Sequence, residues 1–172
     1  MMTLVIGGSK CGKSSFAENL LSDFSGEKIY IATMLPFGEE AHAAIAEHQK
    51  KRMGKGFVTI EKYTDIEEIS LPENCGVLLE CMGNLCANEM FRDGKISVPT
   101  EKIMHGIEHL RTSANRIVIV SNDVSSDGNS YGESTEEYIK ILSELNRRIS
   151  EISDNVIECV FGIPLVRKGA LK

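Results

Sequence analysis

The chain has 172 residues, 42% hydrophobic and 26% charged, a composition that excludes a disordered polar segment and suits one domain (1–172) with a sizeable core. Nineteen Lys and Arg against 25 Asp and Glu give a net charge of −6, which argues against a protein that holds nucleic acid by neutralising phosphates. No stretch reaches the roughly 18 apolar residues of a membrane span, and the opening Met1-Met2-Thr3-Leu4-Val5-Ile6 meets glycine too early for a signal peptide.

Five cysteines, Cys11, Cys75, Cys81, Cys86 and Cys159, are an odd number without a Cys-x-x-Cys pair, so neither a disulfide framework nor a zinc site is expected. A reduced, cytoplasmic chain fits this usage. Cys81 and Cys86, at a strand end and a helix start, read as small buried hydrophobes.

In chain order, the apolar run 3–6 predicts a strand that leads into a glycine-rich turn, and Phe16, Leu20, Leu21 and Phe24 then share a helical face. Residues 28–32 predict a second strand. Ala41, Ala44, Ile45 and His48 follow helical spacing, and 57–60 reads as a short strand. Residues 76–80 predict another strand, and Thr100 reads as the cap of a helix carrying Ile103, Ile107 and Leu110. After a strand over 116–121, the Ser, Gly, Asn and Asp of 125–132 read as a surface loop. The best helical pattern runs from about 135 to 153, with Tyr138, Ile141, Leu142, Leu145, Ile149 and Ile152 on its stripe and a capping box from Ser134 and Glu137. A last strand is expected over 155–161. Strands alternating with helices imply an α/β fold whose mostly parallel central sheet is flanked by helices.

The most informative segment is Gly7-Gly8-Ser9-Lys10-Cys11-Gly12-Lys13-Ser14, which matches G-x-x-x-x-G-K-[ST] between a strand and a helix, the context this motif requires. Glycines let successive N–H groups turn toward phosphate oxygens, and the helix N-terminus adds partial positive charge. Lys13 is expected to reach the β- and γ-phosphates of a nucleoside triphosphate, and Ser14 to join a Mg²⁺ shell. The loop alone does not say whether hydrolysis, phosphoryl transfer or nucleotidyl transfer follows. Glu80, closing the run Gly76-Val77-Leu78-Leu79, is a candidate carboxylate for the same ion, directly or through water.

Four histidines occur. His105 and His109 stand one turn apart with no third ligand in view, so a solvated helix face is expected. His48 precedes Gln49-Lys50-Lys51-Arg52 and Lys55, the densest basic run of an acidic chain. Two readings stay open from residue types: an imidazole nucleophile among charges that hold phosphates, or a histidine packed on the Ala41, Ala44 and Ile45 stripe.

Taken together, the motifs resemble the bifunctional adenosylcobinamide kinase / adenosylcobinamide-phosphate guanylyltransferase family of cobalamin biosynthesis. The resemblance rests on the loop 7–14, on Tyr30-Ile31-Ala32-Thr33, on Ile45-Ala46-Glu47-His48 with Arg52, and on Thr59-Ile60-Glu61. It continues through Leu78-Leu79-Glu80-Cys81, Asn88 with Phe91, Val120-Ser121-Asn122-Asp123-Val124, Leu145-Asn146 and Gly162-Ile163-Pro164-Leu165. It implies a RecA-like P-loop domain, a homotrimer, and two reactions: phosphorylation of the aminopropanol hydroxyl of adenosylcobinamide by GTP or ATP, then transfer of GMP from GTP to that phosphate. It also implies that His48 carries GMP covalently, that Lys13 acts in catalysis, and that Ala32, Thr33, Met34, Gln49, Lys50, Lys51, Arg52, Glu61 and Glu80 join the loop in contacting nucleotide or metal. The chain departs from the family at Gly38, Ala41, Ala44, Phe57, Asp123, Ser125, Glu136, Ile139 and Arg147, changes that bear on the acceptor and on subunit contacts more than on nucleotide chemistry. Two alternatives remain: a kinase of a corrinoid or other small alcohol with that single activity, and a nucleotide-driven switch or assembly ATPase, against which stands the lack of an Asn-Lys-x-Asp element.

Overall fold

The strands that read as near-continuous Val, Ile and Leu are covered on both faces. The computed structural model describes residues 1–94, 96–124 and 132–170, apart from the side chains of Glu40, Lys51 and Asp93. Strands β1 (Met2–Gly7), β2 (Glu27–Ala32), β3 (Phe57–Glu61), β4 (Cys75–Leu79), β5 (Arg116–Asn122), β6 (Asn155–Val160) and β7 (Ile163–Lys168) form one sheet in the order β3-β2-β4-β5-β1-β6-β7. Every neighbouring pair is parallel except β6 with β7.

Side chains alternate across a strand. Leu4, Ile29, Ile31, Val77, Leu79, Ile117 and Ile119 therefore pack on one face, against α3 (Met82–Met90), α4 (Thr100–Ser113) and α5 (Glu133–Ile152). Val5, Tyr30, Leu78, Val118 and Val120 pack on the other, against α1 (Lys13–Asn19). Helix α2 (Gly38–Arg52) is the least embedded. Its residues Ala41, Ala44, Ile45 and His48 are half-buried, as their spacing predicts, and Arg52 is its one described buried side chain. Cys75, Cys86 and Cys159 are buried, and desolvation pushes the Cys86 thiol up to about 12, as expected of a small inert hydrophobe. Cys81, in contrast, is half-buried, and its Sγ accepts the Asn84 N–H (3.5 Å) at the start of α3.

Several expectations need correction. Thr100 is the first residue of α4 and Pro99 stands at the cap without a side-chain cap bond. Helix α5 starts at Glu133, so Ser134 lies inside it and the capping box does not form; Glu133 and Glu136 in the first turn complement the helix N-terminus instead. On the α5 stripe, Ile141, Leu142, Leu145 and Ile149 are buried, Tyr138 is half-buried, and Ile152 is exposed. Of the surface loop expected over 125–132, residues 125–131 lie outside the described residues, and Gly132 stands at the start of α5. Strand β6 ends at Val160, because Phe161 (φ 50°) and Gly162 (φ 82°) make a two-residue turn of left-handed conformation into the unexpected strand β7. Pro164 is tolerated there because β7 is an edge.

A charged cluster ties the β3–β4 connection to the helices beneath it. The Asp65 carboxylate accepts from Arg92 Nη1 (2.8 and 2.9 Å) and from Lys102 Nζ, which also donates to Glu89 Oε2 (2.7 Å). Glu89 Oε1 in turn accepts the Asp65 N–H at 2.7 Å. The Lys102 ammonium, with Arg92 behind it, holds the Asp65 carboxyl well below the usual carboxylate range despite desolvation. A carboxyl depressed in the folded state adds stability that is complete above its unfolded pKa and fades as pH falls toward the folded value. Asp65→Asn is therefore expected to lower the melting temperature at pH 7, with the gap to the unchanged protein narrowing below about pH 4. Thermal melts across that range check it.

Candidate active site

Parallel strands deliver their C-terminal ends to one edge of the sheet, and both candidate cavities open there. At the first, β1 ends on Gly7 and the chain curls through Gly12 (φ 95°) into α1. A Cβ on Gly7 would stand 2.5 Å from the Cys159 carbonyl oxygen, so no larger residue fits between β1 and β6 at this point. Lys13 is 7% exposed, and its Nζ folds back over the loop to donate to the Gly8 carbonyl (2.5 Å), with Cys11 Sγ at 3.8 Å. Gly7, Gly8, Ser9, Lys10, Cys11 and Gly12 line a cavity of about 610 Å³. Its far wall is Asp123, Glu158 and the turn at Phe161 and Gly162, none of which the loop motif signals. Ser14, half-buried, follows Lys13 in the first turn of α1.

The second cavity, about 300 Å³, gathers Ala32, Met34, His48, Gln49, Arg52, Glu61 and Glu80, with His42, Thr59 and Tyr63. The His48 side chain is 27% exposed, and its Nδ1 lies 3.9 Å from Glu80 Oε1. Glu80 directly follows β4 and is pinned to β2: its N–H donates to the Ile31 carbonyl (3.1 Å), and its Oε2 accepts the Thr33 N–H (3.2 Å). Thr33 is fully buried and donates its hydroxyl to the Cys81 carbonyl (2.9 Å), so it positions Glu80 and does not line the pocket. Asn88 Nδ2 bridges the carbonyls of Thr33 (2.8 Å) and Tyr63 (3.0 Å), holding two walls together.

Arg52 closes the floor. Its guanidinium stacks 3.5 Å over the Tyr30 ring, the residue is 7% exposed, and Nη1 has no hydrogen-bond partner among the described residues. A buried, unpaired N–H of a cation is costly unless something anionic arrives to accept it. Burial, and then the Glu80 carboxylate, push the Tyr30 phenol far above its usual range, so Tyr30 serves as a neutral platform. Beyond the end of α2, Lys55 pairs with the buried Glu18 of α1.

The expected site residues are thus distributed over two cavities that share no lining residue. Ser14 stands with the loop, whereas Glu80 stands with His48. Lys50 is exposed and lines neither cavity, and the Lys51 side chain is outside the described residues. His109 Nε2 is bonded to the Ile69 carbonyl (2.8 Å), and no group of three metal-binding side chains occurs among the described residues. A larger cleft at the opposite edge of the sheet, where Arg116 is bound to Asp23 (2.7 Å), contains none of the motif residues.

A glycine loop with a folded-back lysine, set between the first strand and first helix of a mostly parallel sheet, defines a P-loop nucleotide-binding enzyme. A family model described as cobinamide kinase / cobinamide phosphate guanyltransferase matches residues 3–166, and the chain belongs to that family. It is similar to the bifunctional adenosylcobalamin biosynthesis protein CobU of Escherichia coli, with 29% identity over 95% of this chain and 97% of that protein. Similarity extends to the bifunctional adenosylcobalamin biosynthesis proteins CobP of Pseudomonas aeruginosa (27% identity, 98% of each chain) and CobU of Salmonella typhimurium (28%, covering 95% and 97%). Among solved structures, the RadB recombinase aligns with a TM-score of 0.47 at 16% identity, over 91% of this chain and 73% of that one.

Proposed function

We propose that this chain phosphorylates the aminopropanol hydroxyl of adenosylcobinamide with GTP or ATP and then transfers GMP from GTP, through His48, to give adenosylcobinamide-GDP. The observation that carries the proposal is the His48 pocket: a reachable imidazole facing a carboxylate, above a buried guanidinium with an unpaired N–H. With Nδ1 facing Glu80, the proton is favoured on that nitrogen and the Nε2 lone pair is left for phosphorus. Attack at the α-phosphate forms an N–P bond and releases pyrophosphate. The corrinoid phosphate then forms its own bond to that phosphorus as the N–P bond breaks. Lys13 and the backbone of Gly7, Gly8, Ser9, Lys10, Cys11 and Gly12 hold the triphosphate, while Ala32, Met34, Gln49, Lys51, Arg52 and Glu61 serve the nucleotide beside His48.

The donor set at the loop, a serine hydroxyl beside phosphate oxygens, suits Mg²⁺, which keeps much of its own water and takes few protein ligands. Ser14 would hold it at the loop, whereas Glu80, which the sequence suggested for the same ion, stands with His48 in the other cavity. When bound, the ion spreads phosphoryl charge. A cytoplasmic homotrimer completes the proposal, supported by the exposed apolar residues Phe161, Ile163 and Val166 at the β7 edge. No described helix is long and apolar enough to cross a membrane.

Mass spectrometry after incubation with ATP, GTP and adenosylcobinamide tests the reading; both the phosphate and the GDP ester of the corrinoid are expected. A phosphate ester alone would mark the single-activity kinase. Phosphate release that runs equally fast without any corrinoid would mark a nucleotide-driven switch. Arg52→Lys keeps the charge but loses the planar stack and the fork of donors. It is expected to raise the KM for GTP in guanylyl transfer about tenfold, the equivalent of one charge-assisted hydrogen bond, as steady-state kinetics would show.

A further inference from the structure

The loop motif accounts for the phosphate side of the first cavity and leaves its acceptor side without a chemical role. Two carboxylates line that side, Asp123 and Glu158. Glu158 is held by Arg167, whose Nε donates to its Oε2 at 2.7 Å. Asp123 is the first residue beyond β5, where Asn122 stands opposite Gly7 in the parallel pairing of β5 with β1. Its N–H donates to the Gly7 carbonyl at 3.1 Å, so its position is tied to the residue at which the phosphate loop begins.

We propose that Asp123 accepts the hydroxyl proton of the alcohol during phosphoryl transfer at this loop, an inference that rests on the kinase reading above. In the step, the alcohol oxygen forms a bond to the γ-phosphorus. The bond from that phosphorus to the bridging oxygen breaks, with its electron pair leaving on the nucleoside diphosphate. The hydroxyl proton passes to the Asp123 carboxylate and from there to water. A loose phosphoryl transition state leaves the protein chiefly positioning and charge stabilisation, and a carboxylate placed at the acceptor oxygen orients the hydroxyl and takes its proton as the new bond forms. The tether to Gly7 sets the Asp123 backbone at the start of the loop, and the residue lines the loop cavity.

The test is single-turnover transfer from γ-labelled ATP to adenosylcobinamide by the unchanged protein and by Asp123→Asn, Asp123→Glu and Glu158→Gln. Asp123→Asn is expected to slow transfer by roughly 10²–10⁴-fold, the usual contribution of a positioned acid or base. ATP affinity and labelling of the protein by α-labelled GTP should stay unchanged, and Asp123→Glu should recover most of the lost rate. Transfer by Asp123→Asn at the full rate, or a loss in Glu158→Gln in its place, overturns the assignment. So does loss of ATP binding in Asp123→Asn, which would make the residue a support of the loop. An unchanged protein that moves no phosphoryl group to the corrinoid overturns the kinase reading itself and the role of Asp123 with it.

Discussion

Lys13→Ala is expected to slow phosphoryl transfer to adenosylcobinamide by about 10²–10³-fold, the scale of losing one preorganised group from developing phosphoryl charge. The ammonium is already folded over its own loop, 2.5 Å from the Gly8 carbonyl, in a niche that leaves the residue 7% exposed. It needs little reorganisation to meet a phosphate oxygen, and the same niche gives it few other partners to lose. The melting temperature of the variant should therefore change far less than its rate. Guanylyl transfer is expected to fall as well, because in the proposed scheme the loop anchors the tail of GTP. Full guanylyl transfer by Lys13→Ala would assign the two reactions to the two separate cavities.

The second large effect falls on the other cavity. His48→Ala is expected to lower guanylyl transfer by roughly 10³-fold or more, since removal of a nucleophile eliminates the covalent route and not merely one contact. Phosphoryl transfer should persist, because the imidazole lines a pocket that shares no residue with the phosphate loop. Half-buried on α2, His48 has no hydrophobic anchor role comparable to Ile141 or Leu142 of α5, so the variant should fold. A folded His48→Ala protein that had lost phosphoryl transfer too would contradict this division of roles. Rates of cobinamide phosphate and cobinamide-GDP formation, measured side by side, read both outcomes.

Much of this was legible before any coordinates because the signals are local. A strand buried on both faces must be apolar through its covered stretch, as residues 4–6 of β1, 29–32 of β2, 77–79 of β4 and 117–120 of β5 are. The glycine loop has to sit between a strand and a helix, and the spacing of Ala41, Ala44, Ile45 and His48 picks out the half-buried face of α2. What escaped depends on which strands become neighbours. Arg52 meets Tyr30, and Asn88 meets Thr33 and Tyr63, only because β2 pairs with both β3 and β4. Asp123 and Glu158 reach the phosphate loop because β1 lies between β5 and β6. Strand β7 was hidden by its exposure, which removes the apolar alternation, and by a turn that places Phe161 at positive φ, where Asn or Asp is the usual signal. The distribution of the motif residues over two cavities is likewise invisible to spacing, since both sets fall at strand C-termini.

The most direct measurement is the fate of label from GTP carrying a radioactive α-phosphate. After incubation and denaturation, label is expected to remain on the protein through alkali and to leave in acid, the behaviour of a phosphorus–nitrogen bond, and to be missing from His48→Ala. Equal labelling of His48→Ala, or no protein-bound label at all from an enzyme that makes cobinamide-GDP, would contradict a guanylyl-histidine at this position.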